Sequence, residues 1–198
     1  MLRIALVAGP GAGKTTLANA LTAKLKTMGY KWYNVPEYAR EFIDEWGRDA
    51  ITRASTVLLI AYRQMGREHK VNPSADGFVT DSPLILPWFY GRDMKCDNEA
   101  EKYLVITRLY KMFTRAFLDY DLVVHVKREK DYVEDGCRFQ TEKEARAIDI
   151  EVVNEIRAHG YGVIEVSGTT DERVNRVIDK LIVSGMLAKK LPRKASDG

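Results

Sequence analysis

Apolar residues follow two rhythms along this chain, and the rhythms alternate. Residues 3–9, RIALVAG, give the compact apolar run of a short buried strand. Leu17, Leu21, Leu25 and Met28 then recur at nearly helical spacing, which predicts an amphipathic helix over 15–28. Aromatic and β-branched residues in 29–40 predict a second strand ending near Pro36, and helical pattern fills most of 38–70 with a break at Gly47. Further strands are expected over 76–83, 121–129 and 161–168, and further helices over 98–118, 142–158 and 170–185. Strands alternating with helices predict an α/β fold, a five-stranded parallel sheet flanked by helices. Residues 1–188 read as one domain, and residues 189–198 as a basic, flexible tail without apolar period.

Composition narrows the class only a little. The chain has 198 residues, 45% of them hydrophobic and 30% charged, which suits one domain with a substantial core. The formal net charge of +3 permits a polyanionic partner but is too small to require one. Cys96 and Cys137 lie far apart, and His69, His125 and His159 share no ligand spacing, so neither a disulfide framework nor a zinc site is expected. No apolar run approaches the roughly 20 residues of a membrane span. The first strand begins at residue 3, leaving no room for a signal peptide. The expected location is cytoplasmic, or host cytoplasm for a viral protein.

The densest chemistry stands between the first strand and the first helix. AGPGAGKT, residues 8–15, fits the Walker A pattern with Ala8 in place of its first glycine. Gly9, Gly11 and Gly13 allow successive N–H groups to turn inward around an anion, and Ala12 completes the predicted cradle. Lys14 is placed to reach the β- and γ-phosphates of ATP, and Thr15 to ligate the accompanying Mg²⁺.

The fate of the phosphate is read from the remaining motifs. The chain lacks the guanine-reading Asn-Lys-x-Asp of a timed GTPase. Its fourth strand ends VVHVKRE, without the acidic pair of a motor ATPase. Asp81 closes the third strand in FVTDSP, where a carboxylate can hold Mg²⁺ or its water shell. Glu37, in VPEYARE after the second strand, is a candidate base for an acceptor hydroxyl, with Arg40 one turn on to orient that acceptor. Residues 127–146 are crowded with charge, and Arg128, Arg138 and Arg146 are candidates for a lid that neutralises the transferring group. Trp88 and Arg92 in LPWFYGRD, with Trp32, Tyr33, Tyr38 and Trp46 flanking Glu37, suggest an acceptor containing a nucleobase. Phosphoryl transfer is thereby favoured over hydrolysis, a nucleotide-dependent DNA-binding ATPase being the competing reading.

These motifs, with the late VSGTTDERV, resemble small P-loop kinases, namely nicotinamide riboside kinase domains and AAA-type phage proteins. Within the latter the chain is similar to phage kinases that phosphorylate 5-hydroxymethyluracil in DNA. The resemblance covers roughly residues 3–182. It implies a P-loop NTPase fold with a helical lid. It also implies that Gly11, Gly13, Lys14, Thr15 and Thr16 hold ATP and Mg²⁺, that Arg138 and Arg146 lie on the lid, and that residues 167–173 lie beside adenine. Ser82 stands where many nucleoside kinases carry an arginine. The implied acceptor is 5-hydroxymethyluracil in DNA, with nicotinamide riboside, a deoxynucleoside or a nucleoside monophosphate as alternatives. Lys102, Arg108, Lys111 and Arg115 on one predicted helix, and the basic tail, are the positions that favour DNA.

Overall fold

The computed structural model describes residues 1–128 and 142–187. Five strands, β1 (Leu2–Val7), β2 (Trp32–Val35), β3 (Gly77–Thr80), β4 (Leu122–Val126) and β5 (Val163–Val166), form one sheet in the order β2-β3-β1-β4-β5. Every pairing is parallel. Alternation along β1 sends Ile4 and Leu6 to one face, where they pack on Leu17, Leu21 and Leu25 of α1 (Lys14–Thr27) and on Val174, Val177 and Leu181 of α7 (Thr170–Val183). Ala5 and Val7 face the other way, onto α4 (Leu86–Gly91), α5 (Glu99–Asp119) and α6 (Glu142–Ala158) through Phe89, Phe113, Phe117, Val152 and Ile156. A strand covered on both faces needs no polar alternation, which is why β1 reads as an unbroken apolar run.

The helices α2 (Tyr38–Trp46) and α3 (Ala54–His69) extend the α5 side, with Ala54, Val57, Leu58 and Ala61 meeting Val105 and Leu109. The break expected at Gly47 is wider than one residue, because a 3-10 turn over Arg48–Ala50 follows it and α3 begins only after Arg53 bridges to Lys95. Trp32, expected beside an acceptor, is instead fully buried on the α1 face. Register sets it opposite Gly77, where a Cβ would stand 2.3 Å from the indole ring. Of the stretch expected to form a lid, residues 127–128 and 142–146 are described; Arg138 lies outside the described residues, as does the basic tail from 189. Among the described residues no helix is long and apolar enough to cross a membrane.

One polar network runs through the apolar layer. The Tyr120 hydroxyl accepts the Leu84 N–H at 2.9 Å and donates to Glu68 at 2.8 Å. Burial pushes the Glu68 carboxyl up to about 7 from its ordinary 4.5, against the opposing effect of the Tyr120 hydrogen bond. A proton held more tightly in the folded than in the unfolded chain stabilises the fold fully below about pH 4.5, and that stabilisation is lost as pH rises through about 7. The loss is on the order of 3 kcal/mol. Urea midpoints between pH 4.5 and 8.5 should therefore fall with rising pH in the parent and stay flatter in Glu68→Gln; parallel curves would contradict the assignment.

Candidate active site

The β1 strand delivers the chain into a loop that glycine alone can make without strain. Gly11 and Gly13 have φ of 78° and 91°. Gly13 also caps α1, and the first turn of that helix has no acidic residue and no capping side chain, whereas α5 is capped by Asn98 and α7 by Thr169 in a reciprocal box with Glu172. The α1 terminus thus keeps its amides and its partial positive charge for an anion. Lys14 is half-buried, while Gly11, Thr15 and Thr16 are exposed.

The loop carbonyls are held away from that cradle. Lys14 Nζ donates to the carbonyls of Ala8 at 2.9 Å and Gly9 at 3.0 Å. Arg128, from the end of β4, donates to Pro10 O at 2.5 Å. Arg173, on α7, donates to Ala12 O at 3.2 Å and to Lys127 O at 3.1 Å. Arg173 also places the start of α7, and with it the 167–173 segment, against the loop. Arg128 was expected on a lid; its side chain is only 3% exposed and is packed onto the phosphate loop. The Gly9 amide is likewise engaged, donating to Asp149 Oδ1 of α6 at 2.5 Å.

Three carboxylates act on the lysine through their charge. Burial pulls the Lys14 ammonium below its ordinary value, and Glu37, then Asp81 and Asp149, oppose that shift by their charge. Asp81, at the end of β3, accepts the Thr15 hydroxyl at 2.5 Å. Its other oxygen, Oδ1, is buried without a hydrogen-bond partner among the described residues. Glu37 stands at the N-cap position of α2 but makes no capping hydrogen bond there. Gln64, 2% exposed on α3, joins the two acidic segments: it accepts the Tyr38 N–H at 2.9 Å and donates to Thr80 Oγ1 at 3.3 Å. Tyr90 of α4 feels two of these charges. Burial, then the charges of Glu37 and Asp149, push its hydroxyl up, so it stays protonated.

Other candidate positions are differently engaged. Arg92 pairs with Glu151 and Asp93 and lies over the Trp88 and Phe89 rings. Trp88 meets Tyr110 edge-on at 5.1 Å, in the contact between α4 and α5. Arg146 pairs with Glu142 at 2.5 Å on the first turn of α6, and Arg40 is exposed on α2. No sequence motif singles out Gln64 or Asp149; Tyr90 lies within LPWFYGRD and Arg173 within the 167–173 segment expected beside adenine, neither with a role of its own. Gln64 had a signal, since it continues the Val57-Ala61 stripe as a polar residue at helical spacing and is followed by Glu68 four residues on.

A parallel sheet of this order, with a glycine-lysine-threonine loop between its central strand and an uncapped helix, defines a P-loop nucleoside triphosphate-binding fold. Within that class the chain belongs to the AAA_28 family, described as an AAA domain, whose profile matches residues 3–173. No curated protein matches it. Among solved structures it is similar to NadR protein in complex with NR, with a TM-score of 0.72 and 17% identity over 96% of this chain and 53% of that one. A second is NadR protein in complex with NAD and AMP-PNP, with a TM-score of 0.68 and 16% identity over 96% of this chain and 51% of that one. Thymidylate kinase from Candida albicans gives a TM-score of 0.60 and 13% identity over 93% and 92%. These likenesses establish the fold, and the chain spans about half the length of the NadR chains.

Lys14→Ala should lower ATP turnover by roughly 10²- to 10³-fold with far-UV circular dichroism unchanged. Turnover at the parent rate would contradict the role given to the loop.

Proposed function

We propose that the chain is an ATP-dependent kinase that transfers the γ-phosphoryl group to a hydroxyl of a nucleobase-containing acceptor. The observation that carries this reading is that Gln64 ties Tyr38, beside Glu37, to Thr80, beside Asp81, while Asp81 takes the Thr15 hydroxyl of the phosphate loop, so that both carboxylate segments meet the loop. A carboxylate on the α2 side of the loop can orient an acceptor hydroxyl and take its proton, the part a kinase's catalytic aspartate plays. The attacking hydroxyl oxygen forms the new P–O bond, its proton passes to Glu37, and the bond from the γ-phosphorus to the bridging oxygen breaks to leave ADP. The mutual position of Thr15 and Asp81, with the unpartnered Asp81 Oδ1, suits Mg²⁺ held by the threonine hydroxyl with the aspartate on its water shell. Bound there, the ion would neutralise charge on the phosphate oxygens. Lys14 and the α1 amides supply the remaining positive field.

Two acceptors are favoured by different observations. Resemblance of the motifs favours 5-hydroxymethyluracil in DNA, whose base must leave the stack to reach the site. Likeness to NadR in complex with NR favours a small nucleoside acceptor. So does the pairing of Lys102 with Glu99 and of Arg115 with Asp119, which interrupts the basic face of α5.

Incubation with γ-labelled ATP and a panel of nicotinamide riboside, deoxynucleosides, nucleoside monophosphates, and plain or hydroxymethylated DNA should put label on one acceptor. Label appearing only in inorganic phosphate would overturn the kinase reading. With the acceptor so found, Glu37→Gln should lower kcat by about 10²- to 10⁴-fold and leave the Kd for ATP within a few-fold; equal effects on both would remove Glu37 as base.

A further inference from the structure

The contact between α6 and the phosphate loop is close and polar. Gly9 and Asp149 are 140 residues apart, yet the carboxylate takes the Gly9 amide at 2.5 Å in a buried setting. The approach is close enough that a Cβ on Gly9 would stand 2.4 Å from the Ala145 carbonyl and 3.1 Å from Asp149 Oδ1. The second Asp149 oxygen accepts Arg128 Nε at 3.1 Å, and the two side chains are 12% and 3% exposed. From that pose Arg128 reaches Pro10 O. One carboxylate and one guanidinium thus hold the amide of Gly9 and the carbonyl of Pro10, two consecutive residues, from the same side.

A buried ion pair is weak grounds for stability, since apolar groups of equal volume often serve as well. What this pair does supply is direction. The guanidinium is a planar fork, and fixing its Nε on a carboxylate fixes where its other nitrogens point. Proline has no N–H to give, and Lys14 already holds the carbonyls of Ala8 and Gly9. The carbonyls of residues 8–10 and the Gly9 amide are therefore each held by a side chain.

We propose that Asp149 is a positioning residue for nucleotide binding: through the Gly9 amide and Arg128 it makes the geometry of the phosphate cradle depend on the seating of α6. The proposal rests on the nucleotide-binding part of the reading above and is independent of the acceptor. Asp149→Asn keeps an oxygen for the Gly9 amide and loses the charge that orients Arg128; Arg128→Lys keeps a cation and loses the fork. Each should raise the Kd for AMP-PNP with Mg²⁺ by roughly 10- to 100-fold, the range for residues that orient a direct contact. The KM for the acceptor should stay within about two-fold. The double variant should be no weaker than the poorer single one, since both break the same arrangement. Titration calorimetry on folded protein, checked by thermal melting, reads these outcomes. A nucleotide Kd within two-fold of the parent in either variant that melts cooperatively, or full additivity in the double variant, would overturn the proposal. Weakened nucleotide binding without any phosphoryl transfer in the parent would sustain it while defeating the kinase reading.

Discussion

A loop that binds phosphate through its amides must send its own carbonyls elsewhere, and here three cationic side chains receive them. Lys14 takes Ala8 and Gly9, Arg128 takes Pro10, and Arg173 takes Ala12. Carbonyl lone pairs turned toward the ligand would oppose an anion as strongly as the amides attract it, so the sign of the field inside the loop depends on these contacts. The cations come from α1, the end of β4 and α7, so a small local object is specified by the packing of the whole sheet.

Sheet order explains why the chemistry converges on that loop. With β3 on one side of β1 and β4 on the other, their carboxyl ends bring Asp81 and Arg128 to flank it. The outer strand β2 adds Glu37, and Gln64 ties the start of α2 to the last residue of β3. The result is a half-buried lysine on which three carboxylates act by charge, and partial burial strengthens each of those interactions. Such a balance suits a step in which negative charge arrives, moves and departs.

Much of this was legible in the residues. The apolar runs and helical periods place all five strands and the long helices, since both local patterns follow directly from burial on one or two faces. The phosphate loop was legible for a similar reason: its glycines and its lysine are neighbours in sequence as well as in space. Trp32 was not, because an aromatic residue at the start of a short strand can face either layer, and only the register against Gly77 decides. Asp149, and Arg173 as a partner of the loop, were invisible for a different reason. On their helices they look like ordinary solvated charges, and their partners lie 140 and 161 residues away. Arg128 was noticed, but its neighbours in sequence suggested an exposed lid, whereas its partners are Asp149 and Pro10.

The central claim is that the loop is already shaped for phosphate before any arrives. Amide chemical shifts of the ¹⁵N-labelled chain, with and without AMP-PNP and Mg²⁺, test it most directly. Large shifts at Gly11, Gly13, Lys14 and Thr15 with little change at Gly9, whose amide Asp149 already holds, are the predicted result. Equal shifts at Gly9 would show that the nucleotide rebuilds the loop around itself, and would contradict the account.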